Sequence, residues 1–161
     1  MKKIMLYAAA ALALTACGNR KAGAVADGSP ASESDEYLFY EGVLPAADAA
    51  GVRYSLALDY DDDNPARGDY KLTETYLKAD GSATSSFYSE GDFDVRTGTP
   101  ADSLARYLVL VPEVEAGATP GATLYFLAES DSTMTMVNAD FSRSETPGLN
   151  YTIARVAELT R

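Results

Sequence analysis

Apolar and polar residues alternate along much of this chain, and this period of two most constrains how it can fold. In the stretch 52–60, one face carries Val52, Tyr54, Leu56, Leu58 and Tyr60, whereas the other carries Arg53, Ser55, Ala57 and Asp59. Such alternation is typical of a β-strand buried on one face. The same pattern predicts further strands at 37–44, 69–78, 84–95, 104–111, 122–129, 133–137 and 150–157.

Clusters of turn-forming residues separate these segments. They include Asp80-Gly81, a dipeptide typical of tight hairpins, and the stretches 64–68, 98–100, 119–121 and 147–148. No helical period persists for two turns in this region. The sequence therefore predicts an all-β fold, a small antiparallel meander β-barrel of about eight strands. A barrel of this size has an interior filled by side chains or room for one small ligand.

The residues before 37 differ in character from the predicted barrel domain, which spans 37–161. Residues 1–16 join two lysines to an apolar run that is too short for a transmembrane helix, which needs about 20 residues, but suits a signal peptide. The ending Leu-Thr-Ala before Cys17 resembles a bacterial lipoprotein signal, which implies that acyl chains such as palmitate are attached to Cys17. The small and polar residues of 17–36 predict a disordered linker.

Composition excludes several classes of function. The chain has 24 acidic residues against 13 Lys and Arg, a formal net charge of −11, so we expect no nucleic-acid partner. It has no histidine and a single cysteine, so it lacks the commonest general base and the commonest metal ligand. We therefore expect no enzymatic activity and no cofactor.

Residues 40–51 read Tyr-Glu-Gly-Val-Leu-Pro-Ala-Ala-Asp-Ala-Ala-Gly and resemble the opening of the NlpE N-terminal domain family, whose pattern is roughly Y-x-G-x-L-P-C-A-D-C-x-G. The stretches 70–77, 91–93 and 149–153 extend the similarity in the family's order. The resemblance implies a small lipocalin-like barrel in an outer-membrane lipoprotein that faces the periplasm. It also implies a link to copper resistance and envelope stress, with an inner-membrane signalling protein as partner.

One departure from that family pattern limits what the resemblance implies. Ala46 and Ala49 replace the two cysteines of its C-x-x-C motif. Two thiols at this spacing can form a disulfide or bind a soft metal ion, and alanine can do neither. A copper or redox role of that motif therefore does not transfer to this chain.

Glu74 is the polar residue with the most demanding predicted position. It shares a strand face with tyrosine and leucine, so it points into the predicted barrel, where an unpaired charge costs several kcal/mol. One interpretation is an internal ion pair with Arg106 or Arg155, supported by tyrosine hydroxyls. The other is a ligand-binding site formed by Glu74, Tyr54, Tyr76 and Arg106.

Met134 and Met136 lie two residues apart, so in a strand both point to one side. Thioethers bind Cu(I), but methionine is also an ordinary core residue. We expect core packing and regard the pair as a weak metal-site candidate.

The leading functional hypothesis is a non-catalytic lipoprotein that acts through protein contacts in envelope stress sensing, surface sensing or copper tolerance. The alternative is a small-ligand-binding, lipocalin-like barrel of the cell envelope. A packed interior favours the first hypothesis, and a cavity of several hundred Å³ favours the second.

Overall fold

A computed structural model of the chain describes residues 37–99, 102–114, 116–117, 119, 121–144 and 146–160. These residues form eight strands: β1 (Leu38–Leu44), β2 (Gly51–Asp61), β3 (Asn64–Leu77), β4 (Ala83–Thr97), β5 (Arg106–Pro112), β6 (Leu124–Ser130), β7 (Thr133–Val137) and β8 (Thr152–Val156). The predictions for the signal peptide, Cys17 and the linker fall outside the described residues.

The strands form a closed antiparallel meander. Each strand pairs with the next along the chain, and β8 returns to pair with β1, where Tyr40 lies opposite Arg155. The predicted all-β barrel is confirmed, and closure leaves neither end of the strand order unpaired. The predicted hairpin at Asp80-Gly81 is also present, with Gly81 in the left-handed region at φ 81°.

The turn predicted at 64–68 is wrong. The chain reverses two residues earlier, at Asp62 and Asp63, and β3 already begins at Asn64. The register then shifts: Asp61 pairs with Asn64, whereas Tyr60 pairs with Gly68, so residues 65–67 have no counterpart on β2. Proline and glycine mark a β-bulge as readily as a turn, because both interrupt a regular ladder.

Side chains fill the middle of the barrel. Residues that alternate along the strands meet at the axis, and seven large ones are less than 2% exposed: Phe93, Phe126, Leu56, Leu58, Leu72, Leu110 and Ile153. Burial of a side chain of this size contributes about 1.5–3 kcal/mol. The polar residues that face inward therefore lie toward the two ends of the barrel, where the packed layer stops.

A second apolar cluster packs on the outer face of the sheet. Tyr107, Leu127 and Val137 are buried there, and the ring of Phe141 covers them. Its centroid lies 4.5 Å from that of Tyr107 and 5.7 Å from that of Tyr125. Phe141 has a φ of 64°, a left-handed conformation that costs about 1–3 kcal/mol in a non-glycine residue, and this packing offsets the cost.

Candidate functional site

The inward-facing polar residues form two separate groups. In an antiparallel meander, odd strands start where even strands end, so the ends of the barrel collect different residues. We call one the Glu74 end, formed by Tyr54, Glu74 and Tyr76. We call the other the arginine end, formed by Tyr40, Tyr60, Arg106, Asp131 and Arg155.

At the Glu74 end, the structure brings together three of the four residues predicted as a ligand site. Tyr54 on β2 lies directly opposite Glu74 on β3, and Tyr76 is two residues further along the same strand. Burial of the Tyr54 hydroxyl, together with its hydrogen bond to the Glu74 carboxylate, raises the pKa of Tyr54 well above its ordinary value. Tyr54 thus remains a neutral hydrogen-bond donor throughout the physiological range.

The fourth predicted residue, Arg106, lies at the opposite end of the barrel. It begins β5, where it pairs with Thr97 of β4 and Ala128 of β6. Arg155 lies at the same end, so the expected ion pair of Glu74 with either arginine is not formed. Among the described residues, the salt bridge that is present joins Arg143 to Glu129 on the outer surface.

Ala46 and Ala49 lie in the loop between β1 and β2. Ala49 lines an open groove of about 840 Å³ together with Tyr76 and Phe87. The groove is mainly apolar where these side chains meet, and Tyr76 and Phe87 pack edge to face at 5.7 Å. In the C-x-x-C motif described above, this loop carries two cysteine thiols. In this chain Ala46 and Ala49 place methyl groups at those two positions.

The two methionines point into the barrel as predicted. Met134 pairs with Ile153 and is 2% exposed, and Met136 packs against the same core cluster. Sulfur ligands from Ala46 and Ala49 are absent, and no group of three His, Cys, Asp or Glu able to hold a metal occurs among the described residues. The thioethers of Met134 and Met136 are the soft donors that remain in this part of the chain, and both pack in the core cluster.

The first half of β4 forms an exposed edge, which sequence reasoning missed. β4 is 15 residues long, but β5 pairs with it only from Gly91 onward. Phe87 and Tyr88 precede that point and are 58% and 59% exposed. The sequence did contain a sign of this edge. The predicted strand 84–95 is longer than the predicted strand 104–111, so part of 84–95 is left without a partner on that side.

The backbone orientation of this edge follows from one hydrogen bond. The Glu113 N–H donates to the Glu90 carbonyl at 2.8 Å, so the backbone groups of Glu90 face away from β3. Because these groups alternate along a strand, the N–H and C=O of Ser86 and Tyr88 also face away from β3. The hydroxyls of Thr75 and Ser86 are 3.1 Å apart, as expected for a pair without backbone hydrogen bonds between them.

Comparisons with known proteins identify a family for this chain. The family described as NlpE N-terminal domain has a sequence model that matches residues 40–146. No curated protein and no solved structure matches the chain significantly. Within the described residues, no helix is both long enough and apolar enough to cross a membrane.

Proposed function

We propose that this chain, which belongs to the NlpE N-terminal domain family, is a non-catalytic outer-membrane lipoprotein that acts through protein contacts. Lipidation of Cys17 would hold it on the periplasmic face of that membrane. Its role would be in envelope stress sensing, surface sensing or copper tolerance, with an inner-membrane signalling protein as the partner. Family membership supports an envelope protein, and the following observations support the mode of action.

The main support for action through protein contacts is the exposed edge of β4. Phe87 and Tyr88 are more than half exposed, and the outward backbone groups of Ser86 and Tyr88 have no strand partner among the described residues. An extended segment of a partner can add to such an edge as a new strand, with main-chain hydrogen bonds for affinity and side-chain contacts for specificity. Native proteins usually protect strand edges with charges, proline or a covering element. The stretch 83–89 carries no charged residue.

The filled interior supports action at the surface. The side chains in the middle of the barrel are almost fully buried, so no ligand-sized cavity crosses it there. This disfavours a ligand held at the centre of the barrel, whereas the cavity at the arginine end, of about 410 Å³, keeps open the alternative of a small-ligand-binding barrel. A role in copper tolerance would likewise proceed through contacts, because Ala46 and Ala49 provide no metal ligands.

Site-specific photo-cross-linking in living cells tests the contact surface. A photoreactive amino acid replaces Tyr88 on the free edge or, as the control, Arg96 on the part of β4 that pairs with β5. We expect a cross-linked envelope protein from position 88 and a much weaker product from position 96. The product from position 88 should disappear with Ser86→Pro, which removes an outward N–H, and persist with Ser86→Ala.

Two outcomes would contradict the proposal. Equal products from positions 88 and 96 would mean that the edge is not the contact surface. A product containing two copies of this chain alone would mean self-association instead of a partner. Fractionation of cells that express Cys17→Ala tests the anchor separately, and we expect the substituted protein to leave the outer-membrane fraction.

A further inference from the structure

The arginine end concentrates positive charge in an otherwise acidic protein. The formal net charge is −11, yet two guanidinium groups, Arg106 and Arg155, line the same cavity. Arg155 pairs with Tyr40 across β8 and β1, and Arg106 begins β5. Their fields reach the same group, because both arginines act to lower the pKa of Tyr40, against the larger effect of its burial, which raises it.

Several polar groups of this cavity have no partner in the part of the chain that the structure describes. Among the described residues, neither Arg106 nor Arg155 forms a salt bridge. Asp131 is the acidic residue among the described residues that line the cavity. Its backbone carbonyl oxygen accepts a hydrogen bond from the Tyr40 hydroxyl at 3.3 Å. The hydroxyl of Tyr60 has no hydrogen-bond partner within the described part of the chain, although its ring packs on Phe93 at 4.8 Å.

The shape of the cavity limits the size of an occupant. Its volume is about 410 Å³, within the range of about 300–1,000 Å³ typical of small-molecule sites. Leu38, Leu108 and Met134 form its apolar part. Leu58, which pairs with Leu38, and Leu110, two residues beyond Leu108 on β5, are fully buried, so the cavity borders the packed core. The cavity therefore has room for a short alkyl group of a ligand but not for a long alkyl chain.

We propose that the arginine end binds a small organic anion, with a carboxylate or phosphate head between Arg106 and Arg155 and a short apolar stem against Leu108 and Met134. A guanidinium group presents paired N–H donors that match both heads. The Tyr60 hydroxyl donates a further hydrogen bond to the head. Asp131 offsets part of the positive charge and disfavours more highly charged anions. This site is independent of the proposed protein-contact surface.

Isothermal titration calorimetry tests the site on the full-length chain in zwitterionic lipid nanodiscs, with empty nanodiscs as the blank. Two probes, hexanoate and hexyl phosphate, compare a carboxylate with a phosphate group on the same alkyl chain. The third probe, hexan-1-ol, has that alkyl chain without a negative charge and is the control. We expect one saturable site per chain for at least one anion, and binding of the alcohol at least about tenfold weaker.

Matched charge removals locate the site. Arg106→Gln and Arg155→Gln should each weaken anion binding about tenfold, the size expected for one charge-assisted hydrogen bond. Arg96→Gln removes the same charge from the exposed outer face of β4 and should change binding less than twofold. Absence of saturable binding for both anions, equal binding of hexan-1-ol, or an equal loss with Arg96→Gln would each overturn the proposal.

Discussion

The hydrogen bond between Tyr54 and Glu74 couples β2 to β3 at one end of the barrel, and a double-mutant cycle measures this coupling. Tyr54→Phe removes the hydroxyl and keeps the ring. Glu74→Met removes the carboxylate and keeps a side chain of similar length. The double variant completes the cycle, so effects of packing that each substitution causes alone cancel from the coupling energy.

The expected coupling energy follows from the geometry. A hydrogen bond to a charged group contributes about 1.5–3 kcal/mol when it is shielded from water. Both side chains are only partly buried, so solvent screening reduces this to about 1 kcal/mol. For a domain of this size, a loss of 1 kcal/mol lowers Tm by roughly 3–6 °C. Each single variant should show a shift of this order, and the double variant should lose less than the sum.

Urea unfolding of the four proteins, followed by circular dichroism, gives the coupling energy. The control cycle combines Tyr54→Phe with Arg96→Gln on β4, and these two changes should be additive within about 0.5 kcal/mol. A Tyr54–Glu74 coupling no larger than that of the control would refute the interaction.

The alkaline titration of Tyr54 gives a second readout. Its pKa is raised in the folded state, first by burial and then by Glu74, so its contribution to stability is complete below the ordinary value of 10.0. That contribution is lost as the pH rises from there toward the folded-state pKa. Glu74→Met removes one cause of the shift. Phenolate absorbance should therefore appear at lower pH in the variant than in the original protein.

Two further predictions concern the stability of the barrel. Burial raises the pKa of the Glu41 carboxyl, but hydrogen bonds from Thr160 and Ser55 together with the charge of Arg53 lower it below its ordinary value of 4.5. The interaction with Thr160 therefore stabilises the fold above that value and is lost as the pH falls through the folded-state pKa. The protection factor of the Thr160 amide, taken relative to an unstructured peptide at the same pH, should fall in acid, and Glu41→Gln should cause much of that fall at neutral pH; a protection factor that is equal at both pH values would contradict this. Gly68→Ala should cost about 3 kcal/mol or more in urea unfolding, because its Cβ would lie 2.0 Å from the Asp59 carbonyl oxygen. Gly121→Ala is the control, since its nearest contact is 3.2 Å, and a similar cost for both variants would show that the crowding is not responsible.

The alternation of residue types was sufficient to predict the strands and their inner faces. β7 lies at the predicted 133–137, and Leu56, Leu72 and Leu110 are buried on the faces that the period-two pattern indicated. This follows because a half-buried strand must place every second side chain in the core, whatever its neighbours are. Closure of the meander was predicted from the number and spacing of the strands, and the closed barrel confirms it.

The expected pairing of Glu74 with an arginine failed because the shared face was considered without strand direction. Glu74 lies near the end of β3, whereas Arg106 begins β5. β3 and β5 are both odd-numbered strands and run in the same direction. The end of β3 and the start of β5 therefore lie at opposite ends of the barrel. Arg155, near the end of the even strand β8, belongs with the start of β5. The order of the strands along the chain can be read from the sequence, and whether a strand is odd or even in that order sets its direction in a meander. Applied here, this rule would have placed the two arginines at the same end.

The bulge at 65–67 and the free edge of β4 depend on how strands pair, and local patterns do not encode pairing. A turn, a bulge and an edge all permit Asn, Pro and Gly. The distinction between them came from register: Asp61 pairs with Asn64 and Tyr60 with Gly68, while β5 reaches only as far as Gly91.

The separation of the two ends has a consequence for the two proposed surfaces. Along β2, Tyr54 and Tyr60 are six residues apart, which corresponds to roughly 20 Å at about 3.3 Å per residue. The free edge lies toward the Glu74 end, because β4 starts there, and the anion cavity lies at the other end. Between them is the densely packed core of the barrel. Coupling between distant sites requires an element with two arrangements, so we expect the two ends to act independently. Ser86→Pro should therefore leave hexanoate binding unchanged, and Arg155→Gln should leave cross-linking from position 88 unchanged.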